Sequence, residues 1–266
     1  MQNRRYDLRV GKDRFADGTH VMAIINVTPD SFYSASRVGD KAVETAKRFV
    51  AQGAKILDIG GQSTRPGAQR VSALEEMSRV LPAVEAIRAE LPEVSISVDT
   101  YFPEVAQACI ASGADMINDV SCLAYDDMPR VIEEGGASVC VMHDRRNSKI
   151  ADLFLDKQLG LVKAIEKLHS AGIPDNRILL DGGIGFNKNN NEDWALLDGY
   201  DRLMDAFDLP FLLGTSRKSM FGGEVSTRLS ATLESTVKAV KMGVLFVRVH
   251  DVAENKAVID CYKKGV

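Results

Sequence analysis

The sequence of 266 residues contains few cysteines, and their spacing argues against the common cysteine-based sites. The four are Cys109, Cys122, Cys140 and Cys261, and none forms a C-x-x-C pair, so neither a zinc template nor a disulfide framework is indicated. At least three lie in apolar or helical segments, which are typical surroundings of buried, reduced thiols. No activating group stands beside any of them, so we expect no cysteine nucleophile.

The sequence also lacks an excess of basic residues and any apolar run long enough to span a membrane. With 33 Lys and Arg against 37 Asp and Glu, the formal net charge is −4, so no overall basic field exists to hold a nucleic-acid backbone. The first residues, MQNRRYDLRVGKDRF, are polar and contain no apolar segment of a signal peptide. These features predict a cytoplasmic protein that acts on small molecules and binds neither nucleic acid nor membrane.

What the sequence does contain is a repeated alternation of short apolar runs and helical segments. The apolar runs occupy residues 21–27, 55–61, 95–100, 115–121, 138–143, 177–183, 210–216 and 245–251. They are nearly continuous rather than alternating with polar residues, as is typical of parallel strands covered on both faces. Between them lie helical patterns, three of which are predicted to end at Gly53, Gly113 and Gly172.

Eight β-then-α units in about 250 residues predict an α/β fold, the (β/α)8 TIM barrel. No linker, low-complexity segment or change of composition divides the chain, so we expect a single domain over residues 1–266. The alternative is a doubly wound open sheet. No G-x-G-x-x-G pattern follows the first strand to favour the dinucleotide site of such a sheet.

Polar residues stand at the ends of the predicted strands, where a barrel of this kind forms its active site. They are Asn26, Asp58, Asp99, Asn118, Asp119, His143, Asp181, Ser216, Arg217, Lys218, Arg248 and His250. The carboxylates and amides suit a flat heterocycle, whereas the basic residues suit phosphate or carboxylate. Asn26 offers an oxygen ligand for Mg²⁺ beside substrate phosphates. The set predicts a pocket for a substrate with a polar aromatic head and an anionic tail.

Some of these residues also have ordinary structural interpretations. The sequence pattern does not fix which face of its strand Asp58 or Asp119 occupies. We expect these two residues to cap a helix or to form a loop hydrogen bond rather than to act in catalysis. His143 is either a site residue or a paired core histidine. The run KNNNED at residues 188–193 is expected to be a solvated turn that begins a helix.

Eight short segments at the strand ends form an ordered set of motifs. They are NVTPDSF (26–32), DIGGQSTRPG (58–67), SVDT (97–100), INDV (117–120), MH (142–143), GIGF (183–186), GTSRKS (214–219) and VRVHDV (247–252). Together they resemble the dihydropteroate synthases, the folate-pathway members of the pterin-binding barrel family. The resemblance extends over nearly the whole chain.

The resemblance implies a transferase that condenses 6-hydroxymethyl-7,8-dihydropterin diphosphate with p-aminobenzoate and is a target of sulfonamides. It implies that Asp99, Lys218 and Arg248 act in catalysis and that a homodimer forms through barrel helices. The pterin would be held by Asp99, Asn118, Asp181 and Lys218. The diphosphate would be bound, with Mg²⁺, by Asn26, Thr64, Arg65, Arg248 and His250. The p-aminobenzoate would contact Phe32, Pro66, Phe186, Lys218 and Ser219, with the following helix N-terminus near its carboxylate.

The sequence departs from the family pattern in three places. Tyr33–Ser36 replaces a usual Ser-Asp-Gly-Gly, Gly182 replaces a proline, and Gln62 replaces a common Glu. We expect these changes to alter loop closure and sulfonamide affinity rather than the reaction. Two alternatives remain open. A pterin-dependent methyltransferase would need no diphosphate site, so the basic motifs disfavour it, and a non-catalytic pterin-binding paralogue is suggested only by the altered loop after Phe32.

Overall fold

The computed structural model describes residues 4–27, 35–62, 70–146 and 148–263. Ten strands are found there. They are β1 (Leu8–Val10), β2 (Asp13–Phe15), β3 (His20–Asn26), β4 (Ile56–Gly60), β5 (Ser95–Asp99), β6 (Met116–Asp119), β7 (Ser138–Met142), β8 (Ile178–Asp181), β9 (Phe211–Leu213) and β10 (Phe246–Val249). Strands β3 to β10 pair in parallel, and β10 closes the sheet against β3. The predicted eight-stranded barrel is confirmed.

Helices follow the barrel strands and cover their outer faces. They are α1 (Ala35–Ala51), α2 (Ala73–Glu90), α3 (Pro103–Ala111), α4 (Met128–Glu134), α5 (Leu153–Ser170), α6 (Asn190–Asp198), α7 (Tyr200–Met204), α8 (Leu229–Met242) and α9 (Val252–Lys263). Three end as predicted, because the chain then passes through glycines with φ of 97° at Gly53, 103° at Gly113 and 94° at Gly172. Within the described ranges, none of these helices combines the length and apolar character that a membrane span requires.

The apolar core has two layers, which follow from the alternation of side chains along each strand. One face of the strands packs outwards on the helices, as Val21 and Val98 do together with Val80 of α2. The other face points into the barrel, where Met22 and Ile56 lie in a second cluster. Residues of the same strand that differ by two positions therefore belong to the same layer.

A hairpin formed by β1 and β2 closes the amino end of the barrel. The two strands pair antiparallel, with Leu8 opposite Phe15, and both side chains pack against the inward-facing apolar residues at the strand starts. Ser95 at the start of β5 donates a hydrogen bond of 2.7 Å to Asp13. The hairpin was not predicted, because its strands are three residues long and lie in a polar stretch.

Candidate active site

Four polar side chains share the inward face of the barrel with the apolar residues that the hairpin covers. Asp58, Asn118, Asp181 and Arg248 each stand two positions after a member of that inner cluster, as Asp58 follows Ile56. Strand alternation therefore directs all four into the barrel, nearer its carboxyl end. The same alternation places Asp119 outside, since it stands two positions after Ile117, which belongs to the outward-facing layer.

The guanidinium of Arg248 joins two of the inward carboxylates. Its Nε donates to Asp58 Oδ2 at 2.5 Å, and its Nη2 donates to Asp99 Oδ2 at 2.6 Å. Asn118 Nδ2 donates to the same oxygen of Asp58 at 3.2 Å. The expectation of a helix cap or loop bond for Asp58 is therefore wrong, because its carboxylate lies in the centre of a buried polar cluster.

This cluster of Asp58, Asp99, Asn118 and Arg248, here called the inner polar cluster, has more acidic than basic groups. Burial raises the pKa of Asp99, and the charge of Arg248 offsets part of that rise. Burial also acts to lower the pKa of Arg248, but the carboxylates of Asp58 and Asp99 reverse this, so its pKa is raised. Two carboxylates around one fixed cation suit a ligand that presents N–H donors or develops positive charge.

Asp181 and Lys218 lie on a second side of the pocket, and the charge of each acts on the pKa of the other. Asp181 Oδ1 accepts a hydrogen bond of 2.8 Å from Gly183 N. Burial raises the pKa of Asp181, and the charge of Lys218 opposes that rise. Burial lowers the pKa of Lys218 to about 8, against the influence of Asp181. The opposite charges of Asp181 and Lys218 thus partly offset each other's burial, although the described contacts include no direct ion pair between them.

Lys218 also contacts the loop between β8 and α6. Its Nζ donates to the carbonyl of Ile184 and lies 4.5 Å from the centre of the Phe186 ring. This arrangement brings the ammonium, its apolar stem and an aromatic ring together beside Asp181. It offers a flat apolar surface next to a cation, which suits an aromatic acid.

Asn26 lies at the mouth of the barrel, in register with Gly60 and, through it, with Asp99. The Asn26 side chain is exposed. A carbon atom added to Gly60 would lie 3.9 Å from both Asn26 Oδ1 and Asp99 Oδ2, so both side chains border this glycine.

The other predicted residues of the mouth lie on the loops after β9 and β10. His250 Nδ1 is 3.0 Å from Ser216 Oγ, whereas Arg217 Nε donates to Asp251 at 2.8 Å. Ser219 is exposed and begins a short 3₁₀ turn, Ser219–Phe221. The α-helix that follows is α8, which begins at Leu229, so the predicted contact of its N-terminus with a carboxylate stays a prediction.

Several predicted residues fall outside the described part of the chain. They are Phe32, Thr64, Arg65 and Pro66, together with the altered loop positions 33 and 34. Nothing in the structure tests their predicted roles. The described structure thus brings Asp99, Asn118, Asp181, Phe186, Lys218 and Arg248 to one end of the barrel, with Asn26, His250 and Ser219 on its rim.

The remaining strand-end residues serve the scaffold. Asp119 accepts hydrogen bonds of 2.6 Å from both the amide and hydroxyl of Ser121, which confirms the expected loop bond. His143 Nε2 lies 3.4 Å from Asp156 Oδ2, and its ring is mostly buried, which favours a core histidine; neither of these two atoms forms a hydrogen bond with a described residue. Sequence reasoning missed two buried lysines, Lys157 and Lys188, because nothing in their local pattern distinguishes them from surface lysines.

Comparison with known proteins agrees with this geometry. The profile of a family described as pterin binding enzyme matches residues 22–250. The dihydropteroate synthase of Escherichia coli is 42% identical over 262 residues, covering 90% of this chain and 92% of that protein. The dihydropteroate synthase of Clostridium beijerinckii is 38% identical over 258 residues, covering 93% of this chain and 95% of that protein.

Solved structures give the same result. A dihydropteroate synthase of Xanthomonas albilineans with 4-aminobenzoic acid has a TM-score of 0.91 at 34% identity, covering 98% of each chain. One from Clostridium difficile, in the presence of pteroic acid, has a TM-score of 0.89 at 37% identity and covers 94% of this chain and 97% of that one. With its barrel, its inner polar cluster and these matches, the chain belongs to the pterin binding enzyme family, among the dihydropteroate synthases.

Proposed function

We propose that the chain joins 6-hydroxymethyl-7,8-dihydropterin diphosphate to p-aminobenzoate, which forms 7,8-dihydropteroate and releases pyrophosphate. The observation that carries the proposal is the placement of an acidic interior beside a lysine stacked on an aromatic ring. The interior matches the polar pterin, and the lysine matches the aromatic acid. The relatives solved with pteroic acid and 4-aminobenzoic acid support both assignments.

The pterin would occupy the interior of the barrel. Asp99 and Asp181 would accept hydrogen bonds from its amino and ring N–H groups, while the Asn118 amide and Lys218 would face its acceptors. All four side chains are held by strand ends or by contacts already described, so the ring would meet groups that are fixed before it binds.

The reaction breaks the bond between the pterin methylene carbon and the diphosphate oxygen. Arg248, His250 and Asn26 would stabilise the negative charge that collects on the departing diphosphate. The methylene carbon becomes cationic, and the carboxylate of Asp99 would stabilise it from within a buried site, where such an interaction is strongest. Arg248 would thus bind the departing diphosphate and, through its contact with Asp99, favour the ionised form of that carboxylate.

The arylamine then completes the exchange. Its nitrogen forms a bond to the methylene carbon and loses a proton, so one C–O bond is replaced by one C–N bond. The aryl ring would pack on Phe186 and on the stem of Lys218, with Ser219 near its carboxylate. Closure of the neighbouring loops would keep water away from the cationic carbon.

Magnesium fits the mouth of the site as a substrate-borne ion. In the described ranges, no three His, Cys, Asp or Glu side chains are grouped to hold a metal. Mg²⁺ commonly takes only one or two protein oxygens and fills its remaining positions with water and substrate phosphates. Asn26 would supply one such oxygen, and bound Mg²⁺ would neutralise the leaving diphosphate.

The homodimer and the cytoplasmic location expected from the sequence stay predictions. The same applies to the effect of the altered loop after Phe32. A non-catalytic pterin-binding paralogue would use the inner polar cluster alone, so it differs from the proposed enzyme in the loss of turnover rather than of pterin binding.

The deciding experiment is an assay of pyrophosphate release with the pterin diphosphate, Mg²⁺ and p-aminobenzoate. We expect release that depends on the arylamine and that is lost in Lys218→Ala and Arg248→Ala. Lys163→Ala, which changes an exposed lysine of α5, serves as the control and should retain full activity. Pterin binding without arylamine-dependent release in the unaltered protein would exclude the proposed reaction.

A further inference from the structure

The side chain of Lys188 is buried in the loop between β8 and α6, whereas residues 189–191 of the run KNNNED are exposed and begin α6 as expected. The Lys188 side chain has 0% exposure. The Nζ donates to the carbonyl of Phe186 at 2.7 Å and to the carbonyl of Gly183. A single ammonium therefore joins the beginning of this loop to its centre.

Asp193 holds the same loop from the other side. Its Oδ1 accepts a hydrogen bond of 2.6 Å from Gly185 N, and its side chain is almost fully buried. The start of α6 does not require Asp193 as a cap, since Asn189 and Glu192 form a capping box there. The Asp193 side chain therefore does not cap the helix but points at the loop, where its Oδ1 lies 3.9 Å from Lys188 Nζ.

The loop that these two side chains hold is shaped around Lys218. The carbonyl of Ile184 accepts a hydrogen bond from Lys218 Nζ, and the Phe186 ring lies 4.5 Å from it. A side chain at Gly185 would come within 2.6 Å of Lys218 Cδ, and the φ of Gly185 is +79°. The observed position of the Lys218 side chain therefore depends on the backbone conformation of this loop.

We propose that Lys188 and Asp193 are positioning residues for the arylamine subsite, which they act on through the loop of residues 183–188. Neither side chain contacts Lys218 among the described hydrogen bonds. They fix the backbone that carries the Ile184 carbonyl and the Phe186 ring. The inference rests on the proposed function, since it assigns Phe186 and Lys218 to the binding of p-aminobenzoate.

The pterin side of the pocket has its own supports. Next to Asp181, Gly182 N donates a hydrogen bond of 2.9 Å to the hydroxyl of Tyr200 on α7, which lies outside the loop. Asp99 and Asn118 stand on strands that the loop does not touch. Loosening of the loop should therefore weaken the arylamine much more than the pterin.

A matched control exists in the second buried lysine. Lys157 lies beside Lys188, but its Nζ donates to the carbonyl of His143 rather than to the loop. Lys157→Met and Lys188→Met each remove a lysine amino group from neighbouring buried positions. Only the second removes donors from the carbonyls of Gly183 and Phe186.

The test compares the two variants in steady-state kinetics and pterin binding. For Lys188→Met we expect the KM for p-aminobenzoate to rise about tenfold or more, as the loss of hydrogen bonds to charged groups predicts. In the same variant the dissociation constant of the pterin diphosphate should change less than about threefold. In Lys157→Met, both this constant and the KM for p-aminobenzoate should change less than about threefold. Parallel weakening of both substrates, or an unchanged KM for the arylamine, would overturn the proposal.

A second pair of variants keeps the proposal testable if Lys188→Met does not fold. Asp193→Ala removes the acceptor for Gly185 N and should raise the KM for p-aminobenzoate, whereas Asp193→Asn keeps an acceptor oxygen and should largely restore it. Equal kinetics in Asp193→Ala and Asp193→Asn would count against the proposed role.

Hydrogen exchange separates this inference from the proposed function. Amides of residues 183–187 should exchange faster in Lys188→Met and Asp193→Ala than in Lys157→Met, whether or not the enzyme turns over. Slow exchange in both loop variants would overturn the inference. Absence of pyrophosphate release from the unaltered protein would instead overturn the proposed function.

Discussion

Arg248 on β10 is held by Asp58 on β4, two strands away around the barrel, through an Nε–Oδ2 hydrogen bond of 2.5 Å. The bond fixes the plane of the guanidinium, because Nε lies next to the aliphatic stem. The Nη2 group then meets Asp99 on β5. The position of the cation expected to bind diphosphate therefore depends on a carboxylate that need not touch substrate.

Asp58→Asn tests this dependence. Asparagine keeps the shape but loses the charge, and a hydrogen bond to a charged group is worth about 1.5–3 kcal/mol. We therefore expect kcat/KM for the pterin diphosphate to fall by roughly 10- to 100-fold, measured by pyrophosphate release. Asp119→Asn is the matched control on the outer face of β6 and should change kcat/KM less than about threefold. Similar values in the two variants would show that Asp58 does not position Arg248.

Glu76 of α2 should make the protein less stable as the pH rises. Its buried carboxyl accepts a hydrogen bond from Gln62, and burial raises its pKa to about 7. The folded state therefore retains a proton between pH 4.5 and 7 that the unfolded state releases, so this contribution to stability is lost across that window.

Glu76→Gln should remove that loss. The melting temperature of the variant, compared with that of the unaltered protein, should gain several degrees more at pH 8 than at pH 5. Glu75→Gln, on the exposed side of the same helix, should give the same small difference at both pH values. A constant difference for Glu76→Gln would show that this carboxyl is ionised in the folded protein throughout.

Lys157 should produce a dependence of the opposite sign at higher pH. Burial and the neighbouring charge of Lys188 lower its pKa to about 7, from an ordinary value of 10.5. Between these values the unfolded state binds a proton that the folded state lacks, so stability rises with pH. Asp156, Asp181 and Lys188 are the charged groups that face it.

The increase in stability with rising pH should be smaller in Lys157→Met. Thermal unfolding at pH 7 and pH 9.5 would show a reduced gain in melting temperature relative to the unaltered protein. Lys163→Met, a change of an exposed lysine on the same helix, should leave the gain intact. An unreduced gain in Lys157→Met would assign the dependence to other groups.

The hairpin should contribute to stability and not to catalysis. Leu8 is fully buried against the inner apolar cluster at the end opposite the site. Leu8→Ala should lower the free energy of unfolding by about 2–5 kcal/mol, measured by urea denaturation, with unchanged KM for both substrates. Arg14→Ala removes only an exposed ion pair with Asp7 and should cost less than about 1 kcal/mol. Equal costs would mean that the hairpin does not support the barrel.

The barrel could be predicted from the sequence because its strands are continuous apolar runs with glycine-terminated helices between them. The hairpin could not, because Leu8, Val10 and Phe15 give too short an alternation in a charged segment. Only closure of the barrel end, which is a property of the tertiary structure, makes these residues buried.

The candidate site could be predicted as a set of strand ends but not as a network. Asp58 has the same local pattern as Asp119, and only the observed strand register places one inside and the other outside. Lys188 follows the motif GIGF in a run of polar residues, so its sequence resembles a solvated turn. Its burial depends on the carbonyls that a bent backbone turns towards it.

The closed amino end of the barrel also limits the route by which substrates can enter and leave. Leu8, Val10 and Phe15 fill that end, so a substrate of the proposed reaction would reach the inner polar cluster from the carboxyl end. In the proposed reaction the pterin lies deep and the arylamine lies nearer the entrance. In that reaction the pterin would therefore enter before the arylamine, and an aromatic acid bound to Phe186 and Lys218 would delay the escape of the pterin beneath it.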